Sequence, residues 1–87
     1  GKPAPDPYRR AAELLGVPAE RCVAVEDSPN GALAAERAGA AVLVVPCEVA
    51  VPTGPRRTFR DDLVGLTATE LGAVLRAASD ADQDQVA

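Results

Sequence analysis

The sequence predicts an α/β fold in which helices cover a parallel sheet. Two short apolar runs, at residues 22–26 and 41–45, have the length and β-branched content of buried strands. Between them, residues 29–38 carry a helix that begins after Ser28 and ends at Gly39. A strand, helix, strand order forms a right-handed crossover, so we expect the two strands to be parallel neighbours, and the first to be covered on both faces.

Capping signals define a helix on each side of this unit. We expect residues 1–5 to form an extended loop, Asp6 to cap a first helix with Pro7 at its first position, and Gly16 to end it. Its buried face is predicted from the spacing of four residues: Tyr8, Ala11, Ala12 and Leu15.

The second half of the chain has weaker signals until its last helix. Residues 46–60 contain prolines without periodicity and predict a surface loop, and residues 62–64 predict a short edge strand. Thr67 and Glu70 form a capping box, with Leu66 and Leu71 as a hydrophobic staple. The third helix buries a face made of four residues: Leu71, Val74, Leu75 and Ala78.

Length and charge limit the domain organisation and the class of protein. An 87-residue chain forms at most one small domain with a thin core, which we place at residues 1–78. We expect the polar, acidic residues 79–87 to be disordered. A net charge of −4 and dispersed basic residues argue against nucleic-acid binding, and no apolar run reaches the roughly 20 residues of a membrane span. We therefore predict a cytoplasmic protein.

The residues that could carry chemistry follow the first strand. Glu26 and Asp27 lie beyond its carboxyl end, where open α/β sheets bind their ligands. Two adjacent carboxylates suit Mg²⁺, which takes one or two of them together with water and phosphate oxygens. They equally suit a helix start, where acidic side chains interact well with the helix dipole. The pattern alone leaves both interpretations open.

Lys2 is the second candidate for the site, in a loop stiffened by Pro3. A lone lysine is usually a solvated charge, although an ammonium in such a loop can act on a phosphoryl group as a point charge. Cys22 and Cys47 carry no further signal, because their predicted separation exceeds the reach of a disulfide and their spacing fits no metal site.

Three stretches together resemble the third and fourth conserved motifs of the haloacid dehalogenase-like (HAD) hydrolases: GKPAPDPY at residues 1–8, VEDSPNG at 25–31 and AGA at 38–40. The similarity covers residues 1–46 and is greatest to the branch that includes phosphoglycolate phosphatase and β-phosphoglucomutase. It implies the carboxyl-terminal part of a doubly wound, Rossmann-like core. It also implies a Mg²⁺-dependent phosphatase or phosphomutase that forms an aspartyl-phosphate and acts on a small phosphorylated metabolite.

The resemblance assigns a role to each candidate residue. Lys2 would steady the nucleophile and the transferred phosphoryl group, and Asp27 would be the more direct ligand of Mg²⁺, with Glu26 beside it. Ser28 and Gly31 would support the loop and let the helix start close to the phosphate site.

The family's nucleophile is absent from this sequence. No DxDxT-like motif precedes Gly1, and the D-x-D patterns at residues 80–84 lie in a polar tail with no strand before them. The cap domain that selects the substrate is absent too. We therefore expect a fragment of a longer enzyme, inactive by itself and with its oligomeric state open. The alternative is a truncated, non-catalytic α/β module that binds a partner through its open sheet edge.

Overall fold

The computed structural model describes residues 3–84, which form three helices, three strands and one turn of 3₁₀ helix. The elements in chain order are α1 (Asp6–Leu15), the 3₁₀ turn (Ala19–Arg21), β1 (Val23–Glu26), α2 (Pro29–Ala38), β2 (Ala41–Val44), β3 (Arg57–Phe59) and α3 (Ala68–Asp84). Within the described part of the chain, none of the helices is both long and apolar enough to cross a bilayer.

The sheet is parallel throughout and has the strand order β1-β2-β3. Glu26 lies opposite Val44, which in turn lies opposite Phe59. All three strands therefore end at the same edge of the sheet. The predicted α/β class and the parallel pairing of the first two strands are confirmed.

Helices cover the sheet on both faces. Ala24, Val42 and Val44 pack with α2 and with Tyr8 of α1 on one face, and Ala41 and Leu43 pack against α3 on the other, as the alternation of strand side chains requires. The strand β2 is wholly buried, whereas Val25 of β1 is 46% exposed. The first strand is therefore less covered than predicted, because it is an edge strand among residues 3–84 and pairs only with β2 there.

The predicted caps of α2 and α3 are confirmed. The Ser28 hydroxyl accepts a hydrogen bond from the Gly31 N–H (3.0 Å), and Gly39 ends α2 with a φ of 104°. In α3 the Thr67 hydroxyl accepts from the Glu70 N–H (3.1 Å), while the Glu70 carboxylate accepts from the Thr67 N–H (3.2 Å). Both helices thus start where the sequence indicates.

The start of α1 differs from the prediction. Pro5 occupies the cap position without a side-chain hydrogen bond, and its carbonyl accepts from the N–H groups of Tyr8 and Arg9. Asp6 is therefore the first helical residue and not the cap. Of the predicted apolar face Ala12 is buried, but Leu15 is 72% exposed, because no element of residues 3–84 covers that part of α1.

The third strand lies earlier in the chain than predicted. Residues 57–59, which were expected to be in a loop, form β3. The Arg57 guanidinium makes two hydrogen bonds to the Glu36 carboxylate of α2 (2.7 and 3.0 Å), which fixes the strand beside β2. Residues 62–63 have no regular secondary structure and residues 64–65 form a turn, and the Asp62 carboxylate accepts from the Val64 N–H (2.9 Å). The prediction of an edge strand at 62–64 is wrong.

The end of α3 also corrects a prediction. The helix continues to Asp84, through residues expected to be disordered from Ser79 onward. Ala78 is buried against the sheet, and the Arg56 Nε lies 3.1 Å from the Asp82 Oδ1 as an ion pair, without an aligned hydrogen bond. These contacts and the high helix propensity of alanine stabilise the last turns of α3. The prediction of disorder considered only the acidic and polar composition of this segment.

Candidate active site

Glu26 and Asp27 lie at the carboxyl edge of the sheet, as predicted. Glu26 is the last residue of β1, and both side chains line a cleft of about 450 Å³. The other residues that line the cleft are Val25, Val45, Pro46, Cys47 and Leu63. The cleft therefore combines two carboxylates with walls that are mostly apolar.

The first turn of α2 determines where the Glu26 side chain lies. A Cβ added to Gly31 would overlap the Glu26 Oε2 and come within 2.7 Å of the Glu26 Cδ. The Gly31 N–H is already donated to the Ser28 hydroxyl. Gly31 thus leaves room for a carboxylate that the helix does not itself hydrogen-bond, and this carboxylate stays available to a ligand.

Cap formation does not explain the two carboxylates. Ser28 caps α2, and the first turn of that helix contains no acidic residue. Ser28 rather than an acidic residue caps α2, but the Glu26 carboxylate still lies against the first turn of that helix, so a favourable interaction with the helix dipole and ligand binding in the cleft both agree with the structure.

The electrostatics of the pair favour a cation. Partial burial raises the pKa of Glu26 above its ordinary value, and the neighbouring negative charge of Asp27 raises that pKa further. A divalent cation between them would relieve this repulsion. In residues 3–84 no group of three or more His, Cys, Asp or Glu side chains could enclose a metal. Two adjacent carboxylates are a donor set that fits Mg²⁺, which takes one or two carboxylates and keeps several waters.

Lys2 lies outside the described residues, so its role stays a prediction. Ser28 and Gly31 are placed beside the two carboxylates at the start of α2, as expected. The roles assigned to all five residues remain predictions, since their placement in the fold does not test their chemistry.

Leu63 is a residue of the cleft that the sequence did not indicate. It reaches the cleft because β3 is parallel to β1, so the loop after β3 starts at the same edge of the sheet. The available signal was the β-forming pair Thr58-Phe59, which would have placed the strand, and hence its following loop, correctly.

Comparison with known proteins gives a family match over part of the chain. Residues 1–39 match the model of the haloacid dehalogenase-like hydrolases. Hexitol phosphatase A of Escherichia coli is 49% identical over 45 residues, which cover 52% of this chain and 21% of that protein. Beta-phosphoglucomutase of Mycobacterium bovis is 53% identical over 45 residues, covering 52% of this chain and 17% of its own length.

A third relative matches over nearly the whole chain. The chloroplastic protein SUPPRESSOR OF QUENCHING 1 of Arabidopsis thaliana is 32% identical over 89 aligned residues, which cover 99% of this chain and 8% of that protein. The chain spans about a fifth of the length of the bacterial phosphatases that it matches. No solved structure gives a significant match.

Proposed function

We propose, from the match of residues 1–39 to the model of the haloacid dehalogenase-like hydrolases, that this chain is part of a Mg²⁺-dependent phosphohydrolase. The observation that carries the proposal is the placement of Glu26 and Asp27 in one cleft at the carboxyl edge of a parallel sheet. Named phosphatases among the relatives support the same reaction class. The substrate would be a small phosphorylated metabolite.

Each residue would contribute by position and charge. Asp27, with Glu26 beside it, would hold the Mg²⁺, which when bound neutralises charge on the phosphoryl oxygens. Gly31 keeps the space that the Glu26 carboxylate occupies. Lys2 would place a compact positive charge on the nucleophile and the phosphoryl group. The attack itself would come from an aspartate that this sequence does not contain, through an aspartyl-phosphate.

The test uses the complete protein and the change Asp27→Asn. An amide oxygen is neutral and binds Mg²⁺ less well, so we expect most turnover of a phosphate ester to be lost and raised Mg²⁺ to restore it only in part. Mn²⁺ affinity, measured by electron paramagnetic resonance, should fall in parallel. Asp61→Asn is the control, since Asp61 is exposed in the loop after β3 and does not line the cleft. Normal turnover of Asp27→Asn at limiting Mg²⁺ would refute the proposal.

A second candidate function is a non-catalytic binding module. It is favoured by the outer side of β1, which pairs with no strand of residues 3–84 and borders an apolar cleft of about 230 Å³. Tyr8, Ala11 and Leu15 of α1 form one wall of this cleft. An assay of the wild-type complete protein distinguishes the two functions. Mg²⁺-dependent hydrolysis of a phosphate ester supports the enzyme, and the absence of this hydrolysis supports the binding module.

A further inference from the structure

Leu63 forms a wall of the cleft that contains Glu26 and Asp27. It is 48% exposed, in a loop that connects β3 to α3. An exposed leucine is ordinary in itself. This one is unusual because the peptide groups on both sides of it are fixed by hydrogen bonds.

The Arg60 side chain makes those hydrogen bonds. Its Nε donates to the Asp62 carbonyl (2.8 Å) and its terminal NH2 group donates to the Val64 carbonyl (2.7 Å). The Leu63 carbonyl accepts from the Leu66 N–H (3.1 Å). The Arg60 guanidinium therefore holds the loop on both sides of Leu63. Moving the loop away from the cleft would break these two charge-assisted hydrogen bonds.

Two anchors hold Arg60 in turn. Its backbone N–H donates to the Val44 carbonyl (2.9 Å), which extends the sheet by one bond beyond β3. Its guanidinium also pairs with the Glu70 carboxylate at the start of α3. Leu63 is thus positioned by the sheet edge on one side and by the capped start of a helix on the other.

The resulting cleft has two chemically different surfaces. The carboxylates of Glu26 and Asp27 lie at one side, and apolar groups of Val25, Pro46 and Leu63 lie close by. These apolar groups line the same cleft as the carboxylates, so they are available to contact the rest of a ligand that is bound through a cation there. An apolar wall contributes affinity only if that remaining part consists of carbon.

We propose that Leu63 is a specificity-determining residue that contacts the carbon part of a phosphate ester bound at Glu26 and Asp27, and that Arg60 is the residue that positions it. This inference rests on the proposed function. It assigns to the site a class of substrate with an apolar group next to the phosphoryl group.

Binding of two non-hydrolysable phosphonates to the complete protein in Mg²⁺ tests the inference. Methylphosphonate and phenylphosphonate carry similar charge and differ in their carbon groups. Leu63→Ala should lower the preference for phenylphosphonate about tenfold, in the range that one or two apolar groups contribute to discrimination, and should leave methylphosphonate affinity unchanged. Isothermal titration calorimetry gives both dissociation constants.

Three further variants distinguish the loss of a contact between Leu63 and the ligand from a general loss of structure. Arg60→Met, which keeps the stem of the side chain but frees the loop, should lower the same preference. Val64→Ala changes a neighbour that is 80% exposed and outside the cleft, and should change nothing. Glu70→Gln removes the ion pair that is one of the two anchors of Arg60 but leaves Arg60 its bonds to the loop, so it should lower the preference less than Arg60→Met does.

The inference is overturned if Leu63→Ala keeps the wild-type preference, or if Val64→Ala alters it equally. Failure of the proposed function gives a different result: the wild-type protein then binds neither phosphonate in a Mg²⁺-dependent manner, which overturns both.

Discussion

At the scale of single residues, the absence of a side chain at Gly31 leaves the space that the Glu26 carboxylate occupies in the candidate site. The Glu26 carboxylate occupies the volume in which a side chain at position 31 would begin. Ser28 binds the free N–H at that position, so the helix start is satisfied without Glu26. Ser28 therefore caps the helix, a role that an acidic residue often has, and the Glu26 carboxylate is not needed for it.

Gly31→Ala should therefore reduce activity with little change in stability. Alanine favours a helix interior by about 1 kcal/mol over glycine, but at position 31 its Cβ would displace the Glu26 carboxylate and approach the Ser28 Oγ of the cap to 3.1 Å. We expect weaker Mn²⁺ binding and lower turnover in the complete protein, with an unfolding temperature close to the wild-type value, because the gain in helix preference and the crowding of the cap oppose each other.

Gly72→Ala is the matched control for this substitution. Gly72 lies within α3, where an added Cβ would approach only the flexible end of Arg76, at 3.3 Å. It should gain the same helix preference and keep full Mn²⁺ affinity. Equal Mn²⁺ binding by the Gly31 and Gly72 variants would contradict the role given to Gly31.

Lys2→Ala should lower turnover of the complete protein in a way that added metal does not restore. Removing a preorganised charge from such a site costs roughly 10² to 10³ in rate. Lys2→Arg should recover little, since its planar guanidinium places its charge and donors elsewhere. Steady-state kinetics over a Mg²⁺ titration measure this, and near-normal turnover of Lys2→Ala would exclude Lys2 from the site.

The sequence predicts the local part of the candidate site better than the long-range part. Glu26, Asp27, Ser28 and Gly31 all lie in the short segment 26–31, so a strand end followed by a helix start is enough to place them together. Leu63 joins them only through the pairing of β3 with β2, which depends on contacts distant in sequence. The β-forming pair Thr58-Phe59 would place the strand, but it does not show which strand β3 pairs with and hence which cleft Leu63 lines.

At the scale of elements, hydrogen-bonded caps explain which helix boundaries are predictable. The starts of α2 and α3 follow from hydroxyl side chains that accept a backbone N–H three residues later, Ser28 from Gly31 and Thr67 from Glu70. The strand β3 instead depends on the pair between Arg57 and Glu36, which are 21 residues apart. The last turns of α3 depend on the packing of Ala78 against the sheet, and the amino-acid composition of this segment does not predict that contact.

The capping box should make the stability of α3 depend on pH. The Thr67 hydroxyl, followed by the positive charge of Arg60, holds the pKa of Glu70 below its ordinary value of 4.5. The unfolded chain then binds more protons than the native state below about pH 4.5, so stability rises with pH in this range. The stabilisation is complete above about pH 4.5 and is lost as the pH falls through the native pKa.

Glu70→Gln provides the comparison, because glutamine keeps the capping hydrogen bonds and does not titrate. Urea unfolding between pH 3 and 6 should show a smaller pH dependence in this variant than in the wild type. The same dependence in both would contradict the assignment to Glu70.

The ion pair between Glu36 and Arg57 should be the most costly one to break. The exposed fractions of its side chains are 10% for Arg57 and 20% for Glu36. Glu36→Ala leaves a partly buried guanidinium without its partner and should lower the free energy of unfolding by about 2–3 kcal/mol, somewhat less than for a fully buried pair. Glu13→Ala breaks an exposed pair with Arg10 and should cost at most about 1 kcal/mol. Similar costs in chemical denaturation would refute this ranking.

At the scale of the whole molecule, the sheet has a buried centre and, within residues 3–84, two edge strands, β1 and β3. The strand β2 lies at the centre and is completely buried, while β1 has a free outer edge within residues 3–84. The apolar cleft beside this edge is bounded by α1, whose Leu15 is 72% exposed. An unpaired edge next to apolar surface is a template for association with another strand.

The isolated 87-residue chain should therefore self-associate through this edge, and Leu15→Lys should weaken the association. A lysine on the cleft wall places a charge where a second chain would pack, which is how natural edge strands avoid pairing. Leu14→Lys is the matched control, because Leu14 is equally exposed on α1 (71%) but does not line the cleft. Sedimentation velocity over a range of concentrations should show a larger shift toward monomer for Leu15→Lys than for Leu14→Lys. A wild-type chain that stays monomeric at all concentrations, or equal effects of the two lysines, would show that the β1 edge does not drive association.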